Sequence, residues 1–247
     1  MFEELVAPIL KKLVPDRAGV QSRRWLVIGM GESKVEAVVG DALLAVPGLE
    51  LGYCARPGAV ELRCIGGTEA LAAAEAIITE KLPTQVAGEG GAALEELVVH
   101  RLAEIGKKLA TAESCTGGYL AHKITNVPGA SDVFLAGFVT YSNEAKTRDL
   151  GVPESLIREH GAVSEPVARA MAEGALGKTS AAFGLATTGI AGPGGGTPEK
   201  PIGTVFVALA IEGGETRVER HTYLTDRATF KELTVQTALD MVRAAMR

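Results

Sequence analysis

The sequence predicts a three-layer α/β/α domain with a mixed sheet, preceded by a small split α+β domain. Three observations predict it. From about residue 92 onward, helical patterns alternate with short apolar runs of the kind that form buried strands. One of those strands is followed at once by a hairpin partner across Glu212-Gly213-Gly214-Glu215, which makes the sheet mixed. Before about residue 86 the order is strand, helix, two paired strands, helix, and a cluster of small residues, Val86 to Gly91, reads as a seam. The domains are therefore expected at residues 1–86 and 92–247.

The elements follow in order. Met1 to Val14 carries Phe2, Leu5, Ile9 and Leu13 at helical spacing, interrupted by Pro8, and lacks the character of a signal peptide. Trp25 to Ile28 reads as a strand and Lys34 to Leu44 as a helix. Leu49 to Ala55 and Val60 to Ile65 pair around Arg56-Pro57-Gly58, and Glu69 to Leu82 closes the unit. Gly29-Met30-Gly31-Glu32-Ser33 resembles a phosphate loop but lacks a third glycine at the required spacing. After the seam, Leu94 to Ile105 is helical and Gly106 stops it. Leu109 to Ala112 is a short strand, Gly118 to Ile124 a helix, and Val133 to Tyr141 a strand of the buried kind. Asn143 to Leu150 is a short helix ended by Gly151, and Ser164 caps a helix running to about Leu176. Phe183 to Thr188, Gly203 to Ile211 and Arg217 to Leu224 are strands, and Asp226 opens the last helix.

Composition narrows the function. The 247 residues are 47% hydrophobic and 22% charged, with a net charge of −5 and no lysine-arginine tract. Neither generic nucleic-acid binding nor attraction to an anionic membrane is expected. No apolar run approaches the ~20 residues that span a bilayer. Cys54, Cys64 and Cys115 form no CxxC pair, and the first two read as small core residues of a reduced, cytoplasmic protein.

Three segments could carry chemistry. Thr111-Ala112-Glu113-Ser114-Cys115-Thr116-Gly117-Gly118 places a hydroxyl and a thiol where a strand gives way to a helix. Ser114 and Thr116 are good N-cap types, and free N–H groups there could hold an anion or an oxyanion. Tyr141-Ser142-Asn143-Glu144-Ala145-Lys146 brings a tyrosine and a lysine to a strand end; a desolvated lysine can act as a base. The same residues also suit a capped helix with a solvated lysine. Thr187-Thr188-Gly189-Ile190-Ala191-Gly192-Pro193-Gly194-Gly195-Gly196-Thr197 could form an anion nest or a plain connection. Arg227, opening the last helix, could clamp a phosphate or carboxylate or make a surface ion pair. His122 lies eight residues beyond Ser114, about 12 Å along a helix, too far for a serine base. The other histidines show no metal-ligand spacing, which disfavours a Ser-His-Asp triad and a zinc site.

Taken together and in order, Ala112 to Gly118, Tyr141 to Lys146, Gly161-Ala162-Val163-Ser164, Thr188 to Thr197, Lys200-Pro201-Ile202-Gly203-Thr204-Val205 and Asp226-Arg227 resemble the C-terminal domain of the competence-damage-inducible CinA family, also called PncC. The resemblance spans about residues 92–245 and implies nicotinamide mononucleotide deamidation by a serine amidohydrolase. It implies Ser114, Tyr141 and Lys146 as catalytic residues, with no metal and no cofactor. Ser114 would attack the amide carbon, and Lys146 with Tyr141 would take its proton. Cys115, Thr116, Gly117, Gly118, Thr188, Gly189, Gly192, Gly194 and Arg227 would bind the nucleotide, with oxyanion and phosphate roles undivided between the two loops. A homo-oligomer, a dimer, is expected. Full-length members carry a molybdopterin-binding-like domain that this chain does not show, so pyrophosphatase activity tied to that domain is not expected.

Departures from the family pattern are Arg148-Asp149, Phe183, and Lys231, which stands where many relatives have a second arginine. Two other readings remain: a non-catalytic nucleotide-binding or assembly module, and Cys115 as nucleophile.

Overall fold

The computed structural model describes residues 2–9 and 19–246. Phe2–Val6 forms a π-helical turn and residues 7–9 continue as helix, while residues 10–14 of the expected N-terminal helix lie outside the described residues. The first unit runs β1 (Gln21–Ile28), α1 (Glu32–Leu44), β2 (Glu50–Arg56), β3 (Ala59–Gly66), α2 (Thr68–Lys81) and β4 (Val86–Glu89). Its four strands form one antiparallel sheet in the order β2-β3-β1-β4. Trp25, Val27, Val60, Leu62 and Cys64 alternate toward α1 and α2, whose Val35, Val39, Leu71 and Ile78 complete the core.

The segment read as a seam is therefore a strand. Its small residues have a local cause: a Cβ on Gly88 would lie 2.7 Å from Leu97 Cδ1, on the helix that follows. Cys64 is buried and burial pushes its thiol up to about 11, whereas Cys54, expected in the core, is exposed on edge strand β2.

The second unit runs α3 (Leu94–Glu104), β5 (Leu109–Glu113), α4 (Tyr119–Thr125), β6 (Phe134–Val139), α5 (Asn143–Leu150), α6 (Glu154–His160), α7 (Glu165–Gly177), β7 (Phe183–Gly189), β8 (Thr204–Ile211), β9 (Arg217–Thr222) and α8 (Arg227–Ala245). Its sheet has the order β6-β5-β7-β8-β9; β6, β5 and β7 are parallel, and β8 and β9 antiparallel. Helices cover both faces, as the sequence predicts, and α6 is an element the sequence pattern does not announce.

The two faces differ in kind. Leu109, Leu185, Val205, Val207 and Leu209 meet α3, α4 and α8 through Leu102, Leu120, Phe230 and Leu239. On the other face Ala110, Ala112, Ala186 and Ala208 let α7 come close. A Cβ on Gly184 would lie 2.4 Å from the carbonyl of Ala172 on that helix. Each fully buried leucine or phenylalanine contributes about 1.5–3 kcal/mol.

Strand β6 departs from its expected burial. It is the sheet edge, with Leu135 37% and Val139 52% exposed, while Phe134, Ala136 and Phe138 turn inward. The units meet along α8: Ile28 and Ala59 join the core that contains Val235 and Leu239, and Arg243 Nη2 donates to Thr84 O at 3.0 Å. A cleft of about 460 Å³ remains between them, lined by Gly31, Arg56, His221 and Gln236 among others.

The carboxyl ends of β5, β6 and β7 finish level, because Glu113 pairs with both Val139 and Thr187. The turn after each strand opens on the same sheet edge, the usual place for a site in an open α/β fold.

Candidate active site

Ser114 follows β5 directly, and its N–H donates to Thr187 O at 2.9 Å, which ties the turn to β7. Lys146 sits in the first turns of α5, whose N-cap Ser142 accepts from Ala145 N. Its side-chain nitrogen lies 3.0 Å from Ser114 Oγ, 2.9 Å from Thr140 O and 3.4 Å from Tyr141 O. Lys146 is 1% exposed, and burial holds its pKa below the ordinary lysine value. A neutral amine has two N–H donors and one lone pair. With the donors directed at the two carbonyls, the lone pair is free to accept the Ser114 hydroxyl proton.

Tyr141 reaches the pair only through its backbone carbonyl. Its ring is 61% exposed, and its hydroxyl accepts from Arg227 Nη2 at 3.1 Å. Among the described residues no hydrogen bond joins this phenol, expected to share in the proton transfer, to Ser114 or Lys146. Arg227 Nη1 donates to Gly192 O at 3.0 Å, so the guanidinium bridges Tyr141 and the glycine loop.

The other expected binding residues divide into two groups. Cys115 turns into the core at 5% exposure, and burial pushes its thiol up to about 12, which disfavours the thiolate that attack would need. Thr116 shares a 2.8 Å hydrogen bond with Thr187 Oγ1 instead of capping a helix. Thr188 Oγ1 donates to Ala162 O at 2.9 Å, and Ser164 Oγ donates to Gly161 O at 2.8 Å instead of capping α7. Gly189 lies in the β7–β8 ladder, where a Cβ would stand 2.8 Å from Thr204 O; close packing, not ligand approach, requires glycine there. Gly194 is exposed with open space around it. Gly192 and Arg227 remain at the mouth of the site.

The turn amides are also partly committed, by a residue that the sequence analysis does not single out. Gly118 N and Leu120 N donate to Glu113 Oε2, both at 2.9 Å, and Ala121 N donates to Glu113 Oε1 at 2.8 Å. Part of the expected anion site at this end of α4 is thus taken by the chain's own carboxylate. Among the described residues, the N–H groups of Thr116 and Gly117 have no acceptor. Gly117 and Gly118 take φ of +62° and +93°, a pair of left-handed residues that only glycine adopts without strain. Lys231 Nζ lies 3.9 Å from the position of a Cβ on Gly117.

The glycine loop is pinned at several points. Besides Arg227, Lys200 Nζ donates to His160 O at 2.7 Å and Arg220 Nη2 to Glu199 O at 2.8 Å.

Residues 91–246 match the CinA C-terminal domain. The chain belongs to the CinA family. A CinA-like protein of Akkermansia muciniphila is 49% identical over 239 residues, 97% of this chain and 58% of that protein. A CinA-like protein of Geobacter metallireducens is 38% identical over 250 residues, 98% of this chain and 60% of that one. The chain thus spans under two thirds of the length of these relatives. Among solved structures, the competence/damage inducible protein CihA from Agrobacterium tumefaciens superposes with a TM-score of 0.60 at 42% identity. It covers 62% of this chain and 93% of its own. A CinA superfamily protein from Escherichia coli gives 0.59 at 36% identity, over 61% of this chain and 88% of that one. Among the described residues no helix is long and apolar enough to cross a membrane, and no three His, Cys, Asp or Glu are grouped to hold a metal ion.

Proposed function

We propose that this CinA-family chain is an amidohydrolase that converts nicotinamide mononucleotide to nicotinic acid mononucleotide and ammonia. One observation carries the reading: a lysine withdrawn from water, with its nitrogen 3.0 Å from a serine hydroxyl at a sheet's carboxyl edge. In this mechanism neutral Lys146 accepts the Ser114 proton as Oγ attacks the carboxamide carbon. The Thr116 and Gly117 N–H groups face the developing oxyanion. Lys146 returns the proton to the departing ammonia, then activates the water that cleaves the acyl-serine ester. Arg227, with Tyr141 and Gly192, receives the nucleotide phosphate; a guanidinium has five donors, and among the described residues two are engaged.

The substrate assignment follows from family resemblance, and the Ser–Lys chemistry from geometry. A division into two domains, a cytoplasmic setting and a homodimer accompany this reading. The deciding experiment measures ammonia release from nicotinamide mononucleotide by the purified chain beside a Ser114→Ala control. Ammonia from the first and none from the second is expected. Nucleotide binding without ammonia would replace the hydrolase with a binding module.

A further inference from the structure

Glu113 ends a strand that is otherwise Leu109-Ala110-Thr111-Ala112, and it is 0% exposed. A carboxylate so placed needs compensation, since burying an isolated charge is strongly unfavourable. Among the described residues no cation pairs with it within 4.0 Å. Three backbone N–H groups compensate it instead, from Gly118, Leu120 and Ala121. Such charge-assisted bonds are short and roughly twice as strong as neutral ones. They fold the chain back over Ser114, and the left-handed Gly117 and Gly118 allow the reversal.

The main chain of the same residue reaches the base. Glu113 O accepts from Thr140 N at 2.9 Å, and Thr140 O in turn accepts from Lys146 Nζ at 2.9 Å. Nucleophile and base, 32 positions apart in sequence, are therefore both tied to one residue: the side chain fixes the Ser114 turn, and the backbone holds Thr140, whose carbonyl accepts from Lys146.

We infer that Glu113 is a positioning residue, a buried internal anion whose three amide bonds set the Ser114 turn against Lys146 and leave the Thr116 and Gly117 N–H groups to the reaction. This inference rests on the hydrolase reading of the site. A displaced turn leaves substrate binding at Arg227 intact but misaligns the attacking oxygen. A misplacement of about 1 Å can cost on the order of 10²-fold in rate.

The test uses the full chain with Glu113→Ala, Glu113→Gln and Glu113→Asp, and two readouts. One is kcat and KM for ammonia release. The other is the rate at which a fluorophosphonate labels Ser114, which needs no nicotinamide substrate. Glu113→Ala is expected to lose about 10²-fold in both turnover and labelling rate with little change in KM, and added formate, filling the vacated seat, should restore part of both. Glu113→Gln, which cannot accept from all three amides, should be impaired without formate rescue. Glu113→Asp serves if the alanine variant does not fold, and its slower labelling would support the inference. A folded Glu113→Ala or Glu113→Asp chain with unaltered kcat and labelling would overturn it, whatever its melting temperature. Labelling of Ser114 in the unaltered chain without ammonia release would sink the substrate assignment and leave the positioning role testable by labelling alone. An unaltered chain that is not labelled at Ser114 would overturn both.

Discussion

Lys146 Nζ lies 3.0 Å from Ser114 Oγ, although one residue begins a turn after β5 and the other sits inside a helix that follows β6. The lysine is among the largest side chains of the molecule that are wholly withdrawn from water. A solvated lysine on a capped helix, the alternative the sequence leaves open, would look outward. Here the side chain runs inward beneath its own helix start, and its polar contacts are Ser114 and two main-chain carbonyls.

Lys146→Arg is expected to be nearly as damaging as Lys146→Ala. A guanidinium stays charged at any ordinary pH and cannot accept the serine proton. Loss of general-base action slows turnover by about 10²–10⁴-fold. Steady-state kinetics on both variants check this. An arginine variant with near-normal kcat would reassign Lys146 to binding.

The pH profile of kcat/KM should climb with pH as Lys146 loses its proton, with a midpoint below the ~10.4 of a free lysine, because burial lowers the folded value. Stability follows the same sign. The unfolded lysine binds its proton at higher pH than the folded one, so between the two values the folded state gains stability as pH rises. That contribution is complete above the unfolded value and is lost as pH falls through the window. Denaturant titrations across pH should show this slope, and Lys146→Met should remove it. A flat rate profile would exclude a titrating base.

Tyr141→Phe should raise KM and spare kcat. Its hydroxyl engages Arg227 at the mouth of the site, so removing it loosens the phosphate clamp without touching the Ser–Lys pair. Turnover slowed by about 10²-fold or more, the scale of lost acid–base catalysis, would restore the phenol to the proton path.

Cys115→Ala should keep most of the activity, and iodoacetamide should modify Cys54 in the native chain while Cys115 stays unlabelled. Burial keeps the Cys115 thiol protonated, with its pKa pushed up to about 12, whereas Cys54 is exposed. Peptide mapping after alkylation reads both sites. Rapid modification of Cys115 coupled to inactivation would revive the thiol reading.

Residues 90–247 alone should fold and deamidate, with a lower melting temperature than the full chain. The candidate residues all lie after β4, and 62% of this chain accounts for 93% of the Agrobacterium structure. The loss in stability comes from uncovering the α8 face that packs on Ile28 and Ala59. An inactive but folded fragment would give the first unit a part in the reaction.

Much of this was legible in the sequence, and the failures share a cause. The alternation of helices and buried strands predicts the layers, and Gly106 and Gly151, read as helix stops, both take left-handed φ. Strand β4 is hidden in the sequence because a glycine demanded by the close approach of Leu97 to Gly88 looks like a glycine in a linker. Leu135 and Val139 misled because an apolar edge strand has the composition of a central one. Thr116 and Thr188 are good cap or ligand types, yet each hydroxyl is engaged by a partner distant in sequence, and Ser164 turns its hydroxyl back to Gly161 O, three residues before it. Glu113 had a signal, an acidic residue at the end of an alanine-rich strand, since a wholly buried glutamate always needs partners.

Helix α8 is a single rod of 19 residues, about 28 Å long at 1.5 Å per residue. Its first turn holds Arg227 against Tyr141 and the glycine loop, and its later turns carry Gln236 along the inter-unit cleft and Arg243 against Thr84. One helix therefore runs from the contact with the first unit to the guanidinium that engages Tyr141 and Gly192, so the small sheet and the mouth of the site share a single element.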